Sequence, residues 1–327
     1  MTTVLTADDA TSAPPPGDTG LDVVTGAFSY SGASIARALQ DSGRDVRTIT
    51  AHPGNAPSGS PIEARPLDFD DPIGLTRSLE GATTLFNTYW VRFAHGQVDH
   101  TLAVANSRAL FQAAKRAGVQ RIVHVSITHP SSQSPWPYFA GKALVERALA
   151  ETELSYAVLR PAILFGGDGV LINNIAWLLR HLPVFAVGGR GDYRVRGIHV
   201  DDLARLCVAK GLERHDSVTD AVGPERPTFL ELVRSIRQAV GSHSLIVRVP
   251  GTALTVCSRA LGLLLHDVLL TKEEYRTMAQ GLADTEGPAT GETVFSVWLA
   301  EHADELGHHY VNEIDRHFLP SGRWDSR

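Results

Sequence analysis

Only two cysteines occur in the 327 residues, Cys207 and Cys257, far apart and without a CxxC pair. Their scarcity excludes a disulfide framework and a thiolate metal site, and it fits a reducing cytoplasm. No block of lysine and arginine is present, and the formal net charge is −6. That argues against nucleic acid as the main partner. There is no long hydrophobic run. The longest, Ala260 to Leu270, is interrupted by His266 and Asp267, so it is too short to span a bilayer and is expected as a buried helix. A secretory signal is also missing, because Asp8 and Asp9 precede any long apolar stretch. The histidines of the tail, His302, His308, His309 and His317, match no zinc spacing, so no metal is expected. What remains is a chain with 43% hydrophobic and 20% charged residues. Such a composition specifies a packed core in one large α/β domain or two smaller ones.

The stretch Val23-Val24-Thr25-Gly26-Ala27-Phe28-Ser29-Tyr30-Ser31-Gly32 organises the rest. An apolar run ends in a glycine turn, and a helical pattern follows at Ile35, Ala36, Ala38 and Leu39. A helix start offers unpaired N–H groups and the positive end of the helix dipole, where a pyrophosphate sits well. Gly26 makes the sharp turn and Gly32 lets helix and strand approach. Ser29 stands where a dinucleotide fingerprint has its middle glycine, and its hydroxyl is available to donate to a phosphate.

Strands are expected at 21–26, 46–49, 63–67, 83–87, 121–127 and 156–159. Helices are expected to about Asp41, from Pro72, to Ala117, over 138–150 and from about Asp201. Pro14-Pro15-Pro16 lies in a tail, 1–20, expected to be disordered. The alternation predicts an α/β fold, a Rossmann-type doubly wound parallel sheet, over 21–225. A less regular insertion at about 162–197 and a mostly helical region over 226–327 would supply the substrate side. Helices are expected there at 296–305 and 307–317. Ligands in such folds bind at the carboxyl ends of the strands.

At this point the chain resembles the short-chain dehydrogenase/reductase superfamily in its extended or atypical branch. The residues that carry the resemblance are Thr25-Gly26, Leu67-Asp68, Val125-Ser126, Tyr138-x-x-x-Lys142, Leu159-Arg160-Pro161 and His199-Val200-Asp201-Asp202. Within the branch the chain is similar to NmrA-like proteins, to NAD-dependent epimerases and dehydratases, and to the dehydrogenase-like accessory subunit of respiratory complex I.

Tyr138 and Lys142 are four residues apart, so a helix puts them on one face. A nearby ammonium favours the phenolate and lowers a tyrosine's pKa. The resemblance implies Tyr138 as general acid/base, with Lys142 lowering its pKa and holding the nicotinamide ribose. Ser126 is the expected hydroxyl partner. Thr128 is the second candidate, because residues two apart in a strand share a face. Many extended relatives put the hydroxyl at the position of Ile127. The cofactor-binding set comprises Gly26, Phe28, Ser29, Tyr30, Ser31, Gly32, His52, Asp68, Asn87, Thr88, Lys142 and Pro161. Asp68 would lie beside the adenine, as the corresponding aspartate of the family does. After the second strand, Thr50-Ala51-His52 offers neither the acid that selects NAD nor an arginine for NADP. The cofactor is therefore written NAD(P), with a slight lean to NADP.

Tyr89, Trp90 and Phe93 would wall an apolar pocket or pack beneath a lid. Asn173 and Asn174 offer it polar contacts or cap a helix. Arg194 and Arg196 alternate on a short strand, facing an anion or solvent. The expected activity is oxidation or reduction of a small molecule's carbonyl or alcohol. The alternatives are a non-catalytic NAD(P)-binding sensor or assembly protein, and an epimerase or dehydratase. A homo-oligomer is compatible with the sequence. Peripheral membrane contact through 261–270 lacks basic flanks.

Overall fold

The computed structural model describes residues 20–93, 98–167 and 169–312. The expected tail thus lies outside the described residues except for Gly20. In chain order the elements are Leu21–Thr25 (β1), Tyr30–Asp41 (α1), Asp45–Thr50 (β2), Glu63–Pro66 (β3), Pro72–Leu79 (α2), Ala82–Asn87 (β4) and His100–Ala117 (α3). Arg121–Val125 (β5), Pro137–Ala150 (α4), Ser155–Pro161 (β6), Ile163–Phe165 (β7), Val170–His181 (α5), Val184–Gly188 (β8) and Gly197–His199 (β9) follow. The remainder is Val200–Leu212 (α6), Ser217–Ala221 (β10), Phe229–Ala239 (α7), Leu245–Val249 (β11), Gly251–Leu265 (α8), Lys272–Ala279 (α9) and Phe295–Glu301 (α10).

Seven strands form one parallel sheet in the order β10-β6-β5-β4-β1-β2-β3. The order reverses between β1 and β4, which opens a crevice at their carboxyl ends. Neighbouring residues of a strand face opposite sides, and here both sides are apolar. Val23, Leu85, Ile122 and Val158 pack with Leu75, Leu110, Phe111 and Leu149 of α2, α3 and α4. Val24, Phe86, Val123 and Leu159 pack with Ile35, Leu39, Leu203 and Cys207 of α1 and α6. This is the doubly wound fold that the alternation of strands and helices implies.

A further core joins Phe165, Ile175, Leu179, Val187, Val233, Ile236 and Trp298. It merges the expected insertion with the C-terminal region. A parallel pair, β8 with β11, lies against it, and β7 pairs with β9.

Several expectations are corrected. The helix expected over 307–317 is absent from its described part, 307–312. Gly307 has a φ of +75°, and the backbone of this segment is held by Asn173 and Asn174 instead. Gly307 N and Val311 N donate to Asn173 Oδ1 and Asn174 Oδ1 at 3.0 Å each. The other helix expected there, 296–305, ends at Glu301. His199 caps α6, accepting from Asp201 N at 3.2 Å. The run around Leu261–Leu270 is not a buried helix. Val256 is 67% and Leu263 80% exposed on α8. Arg196 faces neither solvent nor an anion site. It is buried, donating to the carbonyls of Gly223, Thr285 and Gly287 at 2.6–2.8 Å. Among the described residues no helix is long and apolar enough to cross a membrane.

Candidate functional site

The β1–α1 turn is built by close approach. Gly26 has a φ of +64°, and a Cβ on Gly32 would stand 2.1 Å from Gly26 O. The hydroxyl of Ser29 donates to Gly26 O at 2.6 Å, and so caps none of the first N–H groups of α1. The first turn of α1 carries no acidic residue. This leaves an uncapped, positively polarised helix start beside a glycine turn, which fits the pyrophosphate of a dinucleotide. Tyr30 Oη donates to Gly166 O at 2.8 Å and ties the turn to the loop after β7.

The ends of β1 and β4 are locked together. Thr88 N donates to Thr25 Oγ1 at 2.7 Å, and Thr88 Oγ1 donates to Thr25 O at 2.7 Å. Asn87 is buried, with its Nδ2 3.0 Å from His124 Nδ1 and its Oδ1 accepting from Tyr89 N at 3.0 Å. Burial and the neighbouring Lys142 hold the His124 imidazole well below its ordinary pKa.

A cleft of about 2100 Å³ runs from this turn toward α9 and α10. Gly26, Phe28, Ser29, Tyr30, Ser31, His52, Thr88 and Tyr138 of the expected set line it. Other members of that set stand behind the wall. Gly32 fills the turn. Asp68 is exposed and accepts from Asp70 N at 2.9 Å, while Asp71 caps α2. Pro161 contributes its carbonyl to Thr128 N at 3.1 Å.

Tyr138 sits in the first turn of α4. Its ring is boxed edge-on by Trp90 and His100, with centroids at 5.7 and 5.6 Å, and by Phe139. No hydrogen bond within the described residues engages its hydroxyl. Burial pushes its pKa well above 10, Arg92 pulls it down, and Glu274 and Glu273 push it up. Lys142 is not among these charges. It is 3% exposed, donates to Val125 O at 2.9 Å and stands 4.6 Å from the Trp90 ring centroid. Burial lowers its pKa to about 7. The expected lowering of Tyr138 by Lys142 is therefore corrected, because desolvation dominates at both groups.

Neither expected hydroxyl partner faces the cleft. Ser126 Oγ donates to Glu146 Oε1 at 2.5 Å, and Glu146 is paired with Arg160. Thr128 Oγ1 donates to Leu282 O at 2.8 Å. The side chain lining the cleft at this strand end is Ile127.

Arg92, Glu273, Glu274 and His100, which motif reading missed, complete the site with Trp90. Arg92 pairs with Glu274 at 3.0 Å across the cleft. Glu273 accepts from Tyr138 N at 3.3 Å. His100 and Trp90 stack at 5.8 Å, and each has a buried ring N–H or nitrogen without a partner. Only the capping pattern Thr271-x-x-Glu274 marked α9 in the sequence, as a helix start.

Residues 26–176 match the NAD(P)H-binding family model. That stretch, a little under half of the chain, is an NAD(P)H-binding domain, and the likenesses that follow are consistent with the extended short-chain dehydrogenase/reductase branch. The chain is 26% identical over 241 residues to a ceramide reductase of Caulobacter vibrioides, covering 71% of this chain and 74% of that one. It is 30% identical over 139 residues to NADH dehydrogenase (ubiquinone) 1 alpha subcomplex subunit 9 of Mus musculus, covering 39% of this chain and 35% of that protein. The structure of Citrobacter sp. triphenylmethane reductase complexed with NADP(H) superposes with a TM-score of 0.72 at 19% identity, over 86% of this chain and 99% of that one. At that identity the likeness is one of fold. What the comparisons share is an NAD(P)H-binding domain on this fold.

Proposed function

We propose that the protein is an NAD(P)H-dependent reductase of a small molecule's carbonyl-type oxygen, with Tyr138 as the proton donor. The observation that carries this is the Tyr138 hydroxyl, uncommitted, facing the same cleft as the glycine turn and held protonated by burial. A neutral phenol is the form that donates to a substrate oxygen as negative charge develops on it. Gly26, Ser29, Tyr30, Ser31 and the start of α1 would hold the pyrophosphate, and Thr88 would line the dinucleotide. The nicotinamide, when bound, supplies the hydride. We lean to NADP because the end of β2 presents Thr50 and His52 and no acid to the cleft. A reducing cytoplasm is the compartment we infer, and the Rossmann part over 21–225 with a substrate lobe after it is the division we infer.

The test is Tyr138→Phe. NADPH and NADH titrations should give the variant unchanged dissociation constants, with NADPH the tighter. Turnover of a carbonyl and quinone panel should fall by about 10²–10⁴-fold, the usual loss of a general acid. Equal turnover in both proteins sinks the assignment of Tyr138.

A second reading is a non-catalytic NAD(P)-binding sensor or assembly protein. The outward-turned hydroxyls of Ser126 and Thr128, with Ile127 in their place, favour it. It predicts that wild type and variant bind cofactor equally and that neither consumes it.

A further inference from the structure

The charges lining the cleft restrict what it accepts. Among the described lining residues the only lysine or arginine is Arg92, and its guanidinium is already paired with Glu274. Against that single cation stand Asp99, Asp201, Glu273, Glu274 and Glu305. The helix starts at α6 and α9 carry their own carboxylates, Asp201 and Asp202 on one, Glu273 and Glu274 on the other. Their dipoles are therefore spoken for. The start of α5 presents Val170 and Leu171. Apart from His100 and a few threonines, the wall on the Tyr138 and α9 side is apolar, with Phe93, Ile127, Phe139, Leu270, Met278 and Leu282.

Recognition of a diphosphate or carboxylate calls for unpaired arginine or lysine, or a free helix start. Beyond the α1 turn the described lining offers no unpaired arginine or lysine, and the uncapped start of α5 presents apolar side chains to the cleft. An anion there would face Glu273 and Glu274 in a partly desolvated space, where like-charge repulsion is large.

We propose that the substrate half of the cleft takes a bulky apolar acceptor with no negative charge, and that the Glu273/Glu274 pair excludes phosphorylated and carboxylated molecules, nucleotide sugars among them. This rests on reading the cleft as the substrate site. It sets the epimerase and dehydratase alternative, where the substrate carries a nucleoside diphosphate, behind the reductase.

The experiment measures binding, so it does not depend on turnover. NADPH is titrated first, and its failure to bind would count against the reductase reading alone. Nile red, uncharged, and anilinonaphthalene sulfonate, anionic, are then titrated by fluorescence with and without NADPH. UDP-glucose is tested by thermal shift with NADPH saturating. Nile red should bind, Met278→Leu should keep that binding and Met278→Glu should abolish it. The sulfonate should bind at least about tenfold more weakly in wild type, as expected for an anion facing two carboxylates. UDP-glucose should give no shift. Glu274→Gln keeps the capping box and removes one of the two carboxylates an anion would face, so it should tighten sulfonate binding by about tenfold while Nile red changes less than about twofold. The proposal is overturned if Nile red does not bind, if the sulfonate binds as well as Nile red, if UDP-glucose stabilises the protein, or if Glu274→Gln leaves the sulfonate unchanged.

Discussion

Lys142 is the residue whose environment departs furthest from what its type prefers. Its ammonium is shut from water, with one carbonyl and the Trp90 face as compensation, and its pKa falls from 10.5 to about 7. His124 beside it is lowered for the same reason. Both groups bind fewer protons in the folded chain than in the unfolded one. Stability therefore rises with pH wherever the unfolded form alone holds the proton. For Lys142 that window runs from about 7 to 10.5; for His124 it closes at 6.5. Thermal unfolding between pH 7 and 9.5 should show the midpoint climbing. Lys142→Met should flatten the climb, and a midpoint that falls with pH in wild type would contradict the assignment. Gly32 is a second residue with a single tolerated identity. A Cβ there meets the backbone oxygen of Gly26 at 2.1 Å, and neither atom has a flexible way out. Gly32→Ala should cost about 1–3 kcal/mol of stability or more. It should also weaken NADPH binding, because relief comes by opening the turn. Calorimetry and a cofactor titration check both.

At the scale of elements, α5 and the segment 307–312 depend on one another. Asn174 donates to Val311 O at 2.8 Å and accepts from Val311 N at 3.0 Å, pairing as a strand would. Asn173 donates to His309 O at 2.9 Å. Asn174→Ala should cost about 1–3 kcal/mol, the value of two such part-buried bonds. It should also expose 307–312 to limited proteolysis before global unfolding. These contacts explain why the described part of the expected helix, 307–312, is not helical. A helical pattern was legible there, but an asparagine more than 130 positions away in the chain takes over the backbone groups that a helix would need. The sheet was legible because each strand carries its own signal: apolar pairs such as Val23-Val24 and Ile122-Val123 feed two opposed cores. The glycine turn and Tyr138 were legible as local motifs. Arg92, Glu273 and Glu274 were not, because they meet only when α9 folds across the cleft, and no spacing in the chain encodes that meeting. The direction of the Ser126 hydroxyl was likewise hidden. It is set by the Glu146–Arg160 pair on the far side of β5.

For the molecule as a whole, the cleft joins two cores with different duties. The sheet and its helices fix the glycine turn and Tyr138, while the second core carries α10, which lines the far end of the cleft. Because α9 lays Glu273 and Glu274 over α4, the region that follows the sheet also acts on the Tyr138 phenol. Desolvation is the largest influence on the Tyr138 hydroxyl and keeps it protonated above the ordinary tyrosine range near 10. A reduction that uses it as donor should then lose no activity on the alkaline side up to about pH 10. In Glu274→Gln one of the carboxylates that oppose ionisation is gone. The change favours the phenolate, so the alkaline limb should move to lower pH. The check is a pH–rate profile of NADPH oxidation with a turned-over acceptor from pH 7 to 10.5, with unfolding followed in parallel. A limb that begins below pH 9 in wild type, or one that Glu274→Gln leaves in place, would separate Tyr138 from the charges of α9. The substrate lobe would then bear on specificity alone.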